Sequence, residues 1–377
     1  MKIPLLLVAI CLWAGNFLLA QPNLQIHGYL SQAYAQASDY PIFGIPVSGT
    51  TDYRNLALQF RVNTNKKTSL IFQLSHKRLG KSPIMVLEED VELDWGFFEY
   101  RFSENGYLRA GLLQLPFGIY NEIRDVGILL PFYQVPYTPY GEGNYTSETI
   151  NGVSVGYEQQ LGDSWRLSGD IYLGEWMMQE WFILRSPLNP GETIPVIGEP
   201  RISHGFGAQL WLETPVNGLR LGSGGYFGQI SGGVVFQALG KNDLKARGLS
   251  IDGDFEKFLA RLEVAYLNLT PVSTGAWAVN SQVGWHLLEK LSLMSEYCSY
   301  RVNNIPLTTQ QIVDESQLKF FEEVAVGINF RMLHNFVFKL EHHWTDSYIT
   351  EIPSDIPGTY LQARKTRYAI FSVSMAF

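Results

Sequence analysis

The sequence holds little cysteine, little charge and no long apolar run beyond its first twenty residues. Two cysteines, Cys11 and Cys298, occur in 377 residues. Cys11 falls in an N-terminal segment that reads as a removable leader, so Cys298 would stand alone and no intrachain disulfide could form. Charged residues make up 17% and the net charge is −8, which disfavours a general nucleic-acid role. After residue 20 no stretch reaches the ~18 consecutive apolar residues that a membrane-spanning helix needs. The seven histidines show no zinc-ligand spacing. His342 and His343 are neighbours on a strand-like run and would point to opposite faces. LGSGGYFGQISGG, residues 221–233, lacks the Gly-Lys-Ser/Thr of a phosphate loop. No local pattern supports a Ser-His-Asp set. An enzyme, a cofactor and a metal are therefore not expected.

Aromatic residues, at 14%, and 35 glycines are plentiful. That mixture points to an all-β chain with many turns. Residues 1–20, MKIPLLLVAICLWAGNFLLA, place Lys2 before an apolar run that ends on Ala20. This is expected to be a signal peptide, leaving 21–377 as one domain.

Strand-like runs recur at about the 9–11 residues that a tilted membrane strand requires. They cover 24–36, 51–62, 68–77, 91–102, 107–115, 151–161, 165–173 and 204–213 in the first half. The second half gives 219–227, 247–255, 258–267, 277–287, 291–302, 319–332, 335–348 and 366–377. Sixteen is even, as bacterial barrels require. The connections alternate between short ones, such as 162–164 and 333–334, and long ones of nine residues or more, such as 268–276. Outer-membrane barrels sort short turns from long loops in this way.

The faces alternate as well. Val324, Val326, Ile328 and Phe330 oppose Glu323, Ala325, Gly327, Asn329 and Arg331, and Phe336, Phe338, Leu340 and Trp344 oppose Lys339, Glu341, His343 and Thr345. A sixteen-strand barrel has a lumen too wide for side chains to fill. The charged face should then line water and the apolar face meet lipid. The fold class expected is an all-β, antiparallel, sixteen-stranded transmembrane barrel, closed by pairing 366–377 with 24–36. One strand, 91–102, changes phase; either a β-bulge near Gly96 and Phe97 repairs it or the upper, acidic part of the strand rises above the membrane.

The longest connection, 116–150, carries four prolines, seven Phe or Tyr, and the charged trio Glu122, Arg124 and Asp125. Folded inward, it would narrow the pore, and opposed charges there would set a transverse field that filters solutes. Arg101, Arg109 and Glu99 would stand behind that constriction. Arg101 and Arg109 are expected opposite each other across the turn 103–106, with Glu99 to neutralise them. The inward basic set reads Arg61, Arg101, Arg109, Arg166, Arg220, Arg261, Arg331 and Lys339. The acidic set reads Glu99, Glu158, Asp170, Glu213, Asp252, Asp254, Glu256, Glu263, Glu296, Glu323 and Glu341. A mixed, slightly acidic wall implies weak selectivity or a mild cation preference. In the fourth loop, 174–203, Trp176, Met177, Met178, Trp181 and Phe182 form an apolar cluster suited to packing at the rim or to an apolar solute.

RAGLLQLPFGIYNEIRDVG, residues 109–127, resembles the strand-to-loop passage of Gram-negative porins in the phosphate-selective O/P-like superfamily. Phe377 is similar to the terminal residue that such families present to the barrel-assembly machinery. The resemblance implies a trimeric outer-membrane channel for passive diffusion of small hydrophilic solutes, surrounded by outer-membrane lipids and lipopolysaccharide. The rows of Arg and Lys that line phosphate-selective pores are not present here. Two other readings stay open: a barrel specific for one solute, an apolar one among the candidates, and a barrel lipid hydrolase.

Overall fold

The computed structural model describes residues 23–86, 90–141, 147–189, 192–271, 273–303, 317–349, 351 and 364–377. The expected signal peptide lies outside the described residues. The first half of the barrel comprises β1 (Asn23–Ala37), β2 (Thr50–Asn63), β3 (Thr68–Leu79), β4 (Glu92–Arg101), β5 (Gly106–Gln114), β6 (Thr149–Leu161), β7 (Trp165–Met177) and β10 (Pro200–Glu213). The second half comprises β11 (Leu219–Gly232), β12 (Asn242–Asp254), β13 (Phe258–Thr270), β14 (Thr274–Leu288), β15 (Leu291–Asn303), β16 (Gln317–Leu333), β17 (Phe336–Ser347) and β18 (Arg364–Ala376). Two further strands, β8 (Glu180–Arg185) and β9 (Thr193–Gly198), pair only with each other and form a hairpin between β7 and β10.

All sixteen expected strands are barrel strands, and together they close into one ring. β1 pairs with β18 from Tyr29 opposite Ala376 to Ala37 opposite Tyr368. Past the last pair, Gly28 N–H donates to Phe377 O at 3.0 Å and Phe377 N–H to Gly28 O at 2.9 Å. Closure satisfies the backbone groups that an edge strand would leave unpaired in lipid. The side-chain parity is the expected one. Val153, Val155, Val324, Ile328, Leu340 and Phe371 are exposed on the outside, while Ser154, Glu323, Lys339, Glu341, Ser372 and Ser374 are buried inside. The Gly-rich stretch at 221–233 is the upper part of β11 and its end, not a loop.

Three details differ from the sequence reading. β13 and β14 run longer than expected, to Thr270 and from Thr274, so the connection expected over 268–276 shrinks to a tight turn. The phase change in β4 comes at Asp94, not at Gly96 and Phe97. Gln73 pairs with Trp95 and the next residue, Leu74, with Leu93, which leaves Asp94 as the extra residue. Leu93 therefore faces out while Trp95 and Phe97 turn in. The hairpin β8–β9 was not expected, because it pairs within its own loop and leaves no trace of membrane-strand length.

Four glycines line up across neighbouring strands: Gly111 opposite Gly152, Gly152 opposite Gly174, and Gly174 opposite Gly205. A Cβ on Gly152 would lie 1.9 Å from Leu173 O, and one on Gly174 2.2 Å from Asn151 O. The wall is creased here, with backbone set where a side chain would stand. We expect Gly152→Val to lower stability by about 3 kcal/mol or more, the upper end of overpacking costs because the obstacle is backbone. The readout is the temperature at which the folded barrel loses its compact mobility on a denaturing gel. An unchanged temperature would contradict the crease.

Candidate functional site in the lumen

A segment of backbone that lies inside a barrel needs partners for its own N–H and C=O groups. Some pair within residues 115–141, as Ile123 N–H does with Tyr120 O at 2.9 Å, and others find inward-facing wall side chains. On one arc, Gly118 N–H donates to Gln209 Oε1 on β10 at 3.2 Å and Ile119 N–H to Glu263 Oε1 on β13 at 2.8 Å. Tyr140 O–H donates to the same Glu263 carboxylate at 2.7 Å. Tyr120 O–H bonds to Gln282 on β14 and accepts from the Arg261 guanidinium at 2.9 Å. On the other arc, the Lys339 ammonium of β17 donates to three carbonyls, Gly127 O at 2.8 Å and Leu130 O and Phe132 O at 2.7 Å each. Asn329 Nδ2 on β16 donates to Pro131 O at 2.8 Å, and Asn55 Nδ2 on β2 to Asp125 Oδ1 at 3.0 Å. Gly127 sits against Ser31 and Ser374, where a Cβ would come within 2.2 Å of Ser31 Oγ.

Aromatic packing adds to these bonds. Phe117 meets Tyr226 edge-on at 5.6 Å and Tyr120 meets Tyr140 edge-on at 5.7 Å. Rings in such geometry contribute on the order of 1 kcal/mol each beyond area burial.

The expected charged trio does not form one knot. Arg124 faces Glu148 at 3.6 Å and donates to Asn121 Oδ1 at 3.2 Å and Tyr140 O at 3.0 Å. Asp125 bonds to Asn55. Glu122 projects toward the wall charges Asp170, Arg109 and Arg220. Enclosure in the barrel and the Asp170 carboxylate hold the Glu122 carboxyl above its ordinary range, against the pull of Arg109 and Arg220. Burial and the nearby Glu148 and Asp94 carboxylates push Asp125 up as well.

Glu99 gathers the basic residues near the short-turn end. Its buried carboxylate accepts from Arg61 at 2.9 Å, Arg101 at 3.2 Å and Arg109 at 3.1 Å. The register sets Arg109 opposite Glu99, and Arg101 opposite Tyr107, so the two arginines are not opposite each other. The Arg109 guanidinium stacks 4.1 Å over Tyr107. Further round the wall, Asp252 accepts from Arg220 at 2.8 Å and Arg261 at 2.7 Å.

Among the described residues, one group of carboxylates stands close enough to share a cation: Asp94, Asp125 and Glu148, with oxygens within 4.8 Å of one another. Lys77 and Arg124 stand beside it and meet its charge. These residues line an open cavity of about 460 Å³ that also reaches Asn55 and Trp176. Lys77 and Asp94 are absent from the sequence count of wall charges. Lys77 shares the inward parity of Gln73 and Ser75, so the pattern could have found it, whereas the bulge hid Asp94. Tyr120 and Tyr140 could not be found locally, because their partners lie more than 120 positions away.

The fourth-loop cluster is split. Trp176 and Met178 are buried, Met177 is exposed on the opposite face, and Trp181 packs on the interior core. The Phe182 side chain lies outside what the structure describes.

No family model matches this chain, and no curated protein matches it. Solved structures do. The outer membrane channel DcaP of Acinetobacter baumannii superposes with a TM-score of 0.60 at 9% identity, over 94% of this chain and 97% of that one. OmpF of Salmonella typhi, in complex with daunomycin, gives 0.58 at 12% identity, over 94% and 97%. The anion-selective porin of Comamonas acidovorans gives 0.58 at 9% identity, over 95% and 100%. The fold of this chain is that of outer-membrane porins and channels.

Proposed function

We propose that this chain is an outer-membrane channel that lets small hydrophilic solutes diffuse through a water-filled barrel, with residues 115–141 as the constriction. The observation that carries this reading is the double anchorage of that segment, to Glu263 and Gln282 on one arc and to Lys339 and Asn55 on the other. Anchored on both sides, the segment would narrow the lumen, and the cavity of about 460 Å³ beside Lys77 and Asp94 is the space left next to it. Passage has no chemical step, so phospholipid turnover by the pure protein would count against the proposal.

Filtering is electrostatic and steric. Arg61, Arg109, Arg166 and Arg220 lie toward the short-turn end, and Glu263, Glu296, Glu323 and Glu341 follow one another across β13 to β17. A solute passing the segment meets positive charge on one side and negative on the other. Most of the arginines are paired with acids, so the net preference is mild and favours cations. The resemblance of residues 109–127 to the phosphate-selective group supports the architecture of the passage. The charge inventory supports no phosphate preference. Homotrimer assembly and recognition of Phe377 by the assembly machinery belong to the same proposal. OmpT of Vibrio cholerae, which shares this fold at a TM-score of 0.55, is described in a trimer form.

In a planar bilayer under a KCl gradient we expect stable open steps and a reversal potential of cationic sign. An anionic sign at neutral pH, or no steps from a folded barrel, would overturn this. Acidification should weaken the cation preference, beginning above the ordinary carboxylate range. Glu122 and Asp125 are both shifted up, so they lose their charge above that range and leave the arginines in excess. A reversal potential constant from pH 7 to 4 would remove them from the filter.

Lys339→Met tests the constriction itself. It leaves three buried carbonyls without their donor, at about 1–3 kcal/mol each. We expect faster proteolysis within 127–132 and a larger conductance step. A folded variant with neither change would exclude the segment as the filter.

A further inference from the structure

Behind residues 130–137 the lumen continues into a second cavity of about 110 Å³. Asn55, Lys77, Arg124 and Asp125 line both cavities, so this one is reached from the water of the first. Its far end is built from Glu296, Glu323 and Glu341. His343 stands between two of them, with Nδ1 at 3.1 Å from Glu323 and Nε2 at 3.3 Å from Glu341. Both ring nitrogens face carboxylate oxygens, so both carry protons and the ring is an imidazolium. Glu323 is fully engaged, accepting also from Thr345 at 3.0 Å and Tyr368 at 2.7 Å. Glu296 accepts from Gln282 and Cys298.

Two polar atoms at this end have no partner. Glu341 is 1% exposed and Tyr133 7%, and neither Glu341 Oε1 nor Tyr133 Oη makes a hydrogen bond. Each buried polar atom left so costs about 1–3 kcal/mol. Lys339 is close to Glu341 but spends its three N–H bonds on carbonyls. Three carboxylates and His343 gather at this end, and Arg54, Lys77 and Arg124 also line the cavity. Phe132 and Tyr137 form the apolar sides.

We propose that this cavity binds a small organic cation with N–H donors, an alkylammonium or alkylguanidinium group, held by Glu341 Oε1 and Tyr133 Oη between aromatic rings. A hard metal ion is a poorer fit, because it needs about six oxygen ligands and, among the described residues, two oxygens at this end are unpartnered. Rings that flank a desolvated cation favour the organic class. The inference rests on the channel reading only for the water that brings the solute in. The solute would pause here beside the constriction, so its flux saturates.

The test is isothermal titration of the folded, detergent-solubilised protein with methylguanidinium chloride at low ionic strength, with tetramethylammonium chloride and potassium acetate as controls. We expect saturable binding of methylguanidinium alone. Glu341→Gln should weaken it roughly tenfold or more, as loss of a charged hydrogen bond does. Tyr133→Phe, which removes only an unpartnered hydroxyl, should weaken it by about threefold or more with the fold intact. No saturable heat from folded wild-type protein would overturn the site. So would equal binding of tetramethylammonium, or both variants binding like wild type. Conductance of the same sample separates the two readings. Binding without conductance supports the site and counts against the channel alone, and conductance without binding overturns the site alone.

Discussion

A closed ring of sixteen strands encloses more space than its own side chains can fill, and the interior of this protein follows from that constraint. In a narrower barrel, facing side chains would meet across the axis. Here they meet side chains one or two strands away along the wall, as Arg61 meets Glu99 and Tyr368 meets Glu323, and the middle must be supplied by something else. Residues 115–141 supply it. They bring backbone that would otherwise be unsatisfied, and the wall answers with side chains of matching type. A lysine faces a run of carbonyls, a glutamate faces an N–H and a phenol, and asparagines face single groups.

Lys339 illustrates the balance. A buried ammonium is costly to desolvate, by several kcal/mol. Three carbonyl oxygens at 2.7–2.8 Å replace its hydration, and in return they gain a charge-assisted donor. Glu99 is the acidic counterpart, one buried carboxylate shared by three arginines. The more exposed pairs, such as Arg166 with Glu158 and Glu213, contribute little stability because water screens them. Their effect is on the field in the lumen, where neighbouring acids partly neutralise the arginines.

The barrel was legible in the sequence because strand parity is imposed by backbone geometry residue by residue, whatever the partners. Val324 to Phe330 alternate with Glu323 to Arg331 in the chain as they do in space. Loop sorting survived too, apart from the turn after Thr270, where strands continue past their apolar stretch and leave no hydropathy signal. The bulge was expected two residues late, because Trp95 and Phe97 are aromatic and look lipid-facing until the packing is known. What the sequence hid was pairing at a distance. Nothing near Tyr140 announces Glu263, and nothing in Glu122, Arg124 and Asp125 says that they part company. Adjacent letters suggested a knot, whereas the folded segment turns Glu122 toward Asp170 and Arg109 and leaves Arg124 and Asp125 together beside Glu148. The fourth-loop aromatics misled for the opposite reason. Alternation on β7 sends Trp176 and Met177 to opposite faces, and no cluster of neighbouring residues survives that.

The crease in the wall and the seating of the segment are parts of one arrangement. Where Gly111, Gly152, Gly174 and Gly205 meet, the sheet gives up its side chains. A Cβ on Gly205 would fall 2.2 Å from the Trp176 ring, so the missing side chain is the space that the indole occupies. Trp176 in turn meets Tyr226 edge-on at 5.2 Å, and Tyr226 meets Phe117 at 5.6 Å. Phe117 belongs to the Pro-Phe-Gly turn where the chain leaves β5 and enters the lumen. Glycines in the wall thus let a tryptophan lie flat, the tryptophan backs a tyrosine, and the tyrosine receives the first ring of residues 115–141. Lys339 holds the far end of that segment by polar bonds. The near end is held both by bonds to Gln209 and Glu263 and by this packing, and the packing begins where the wall has no side chains.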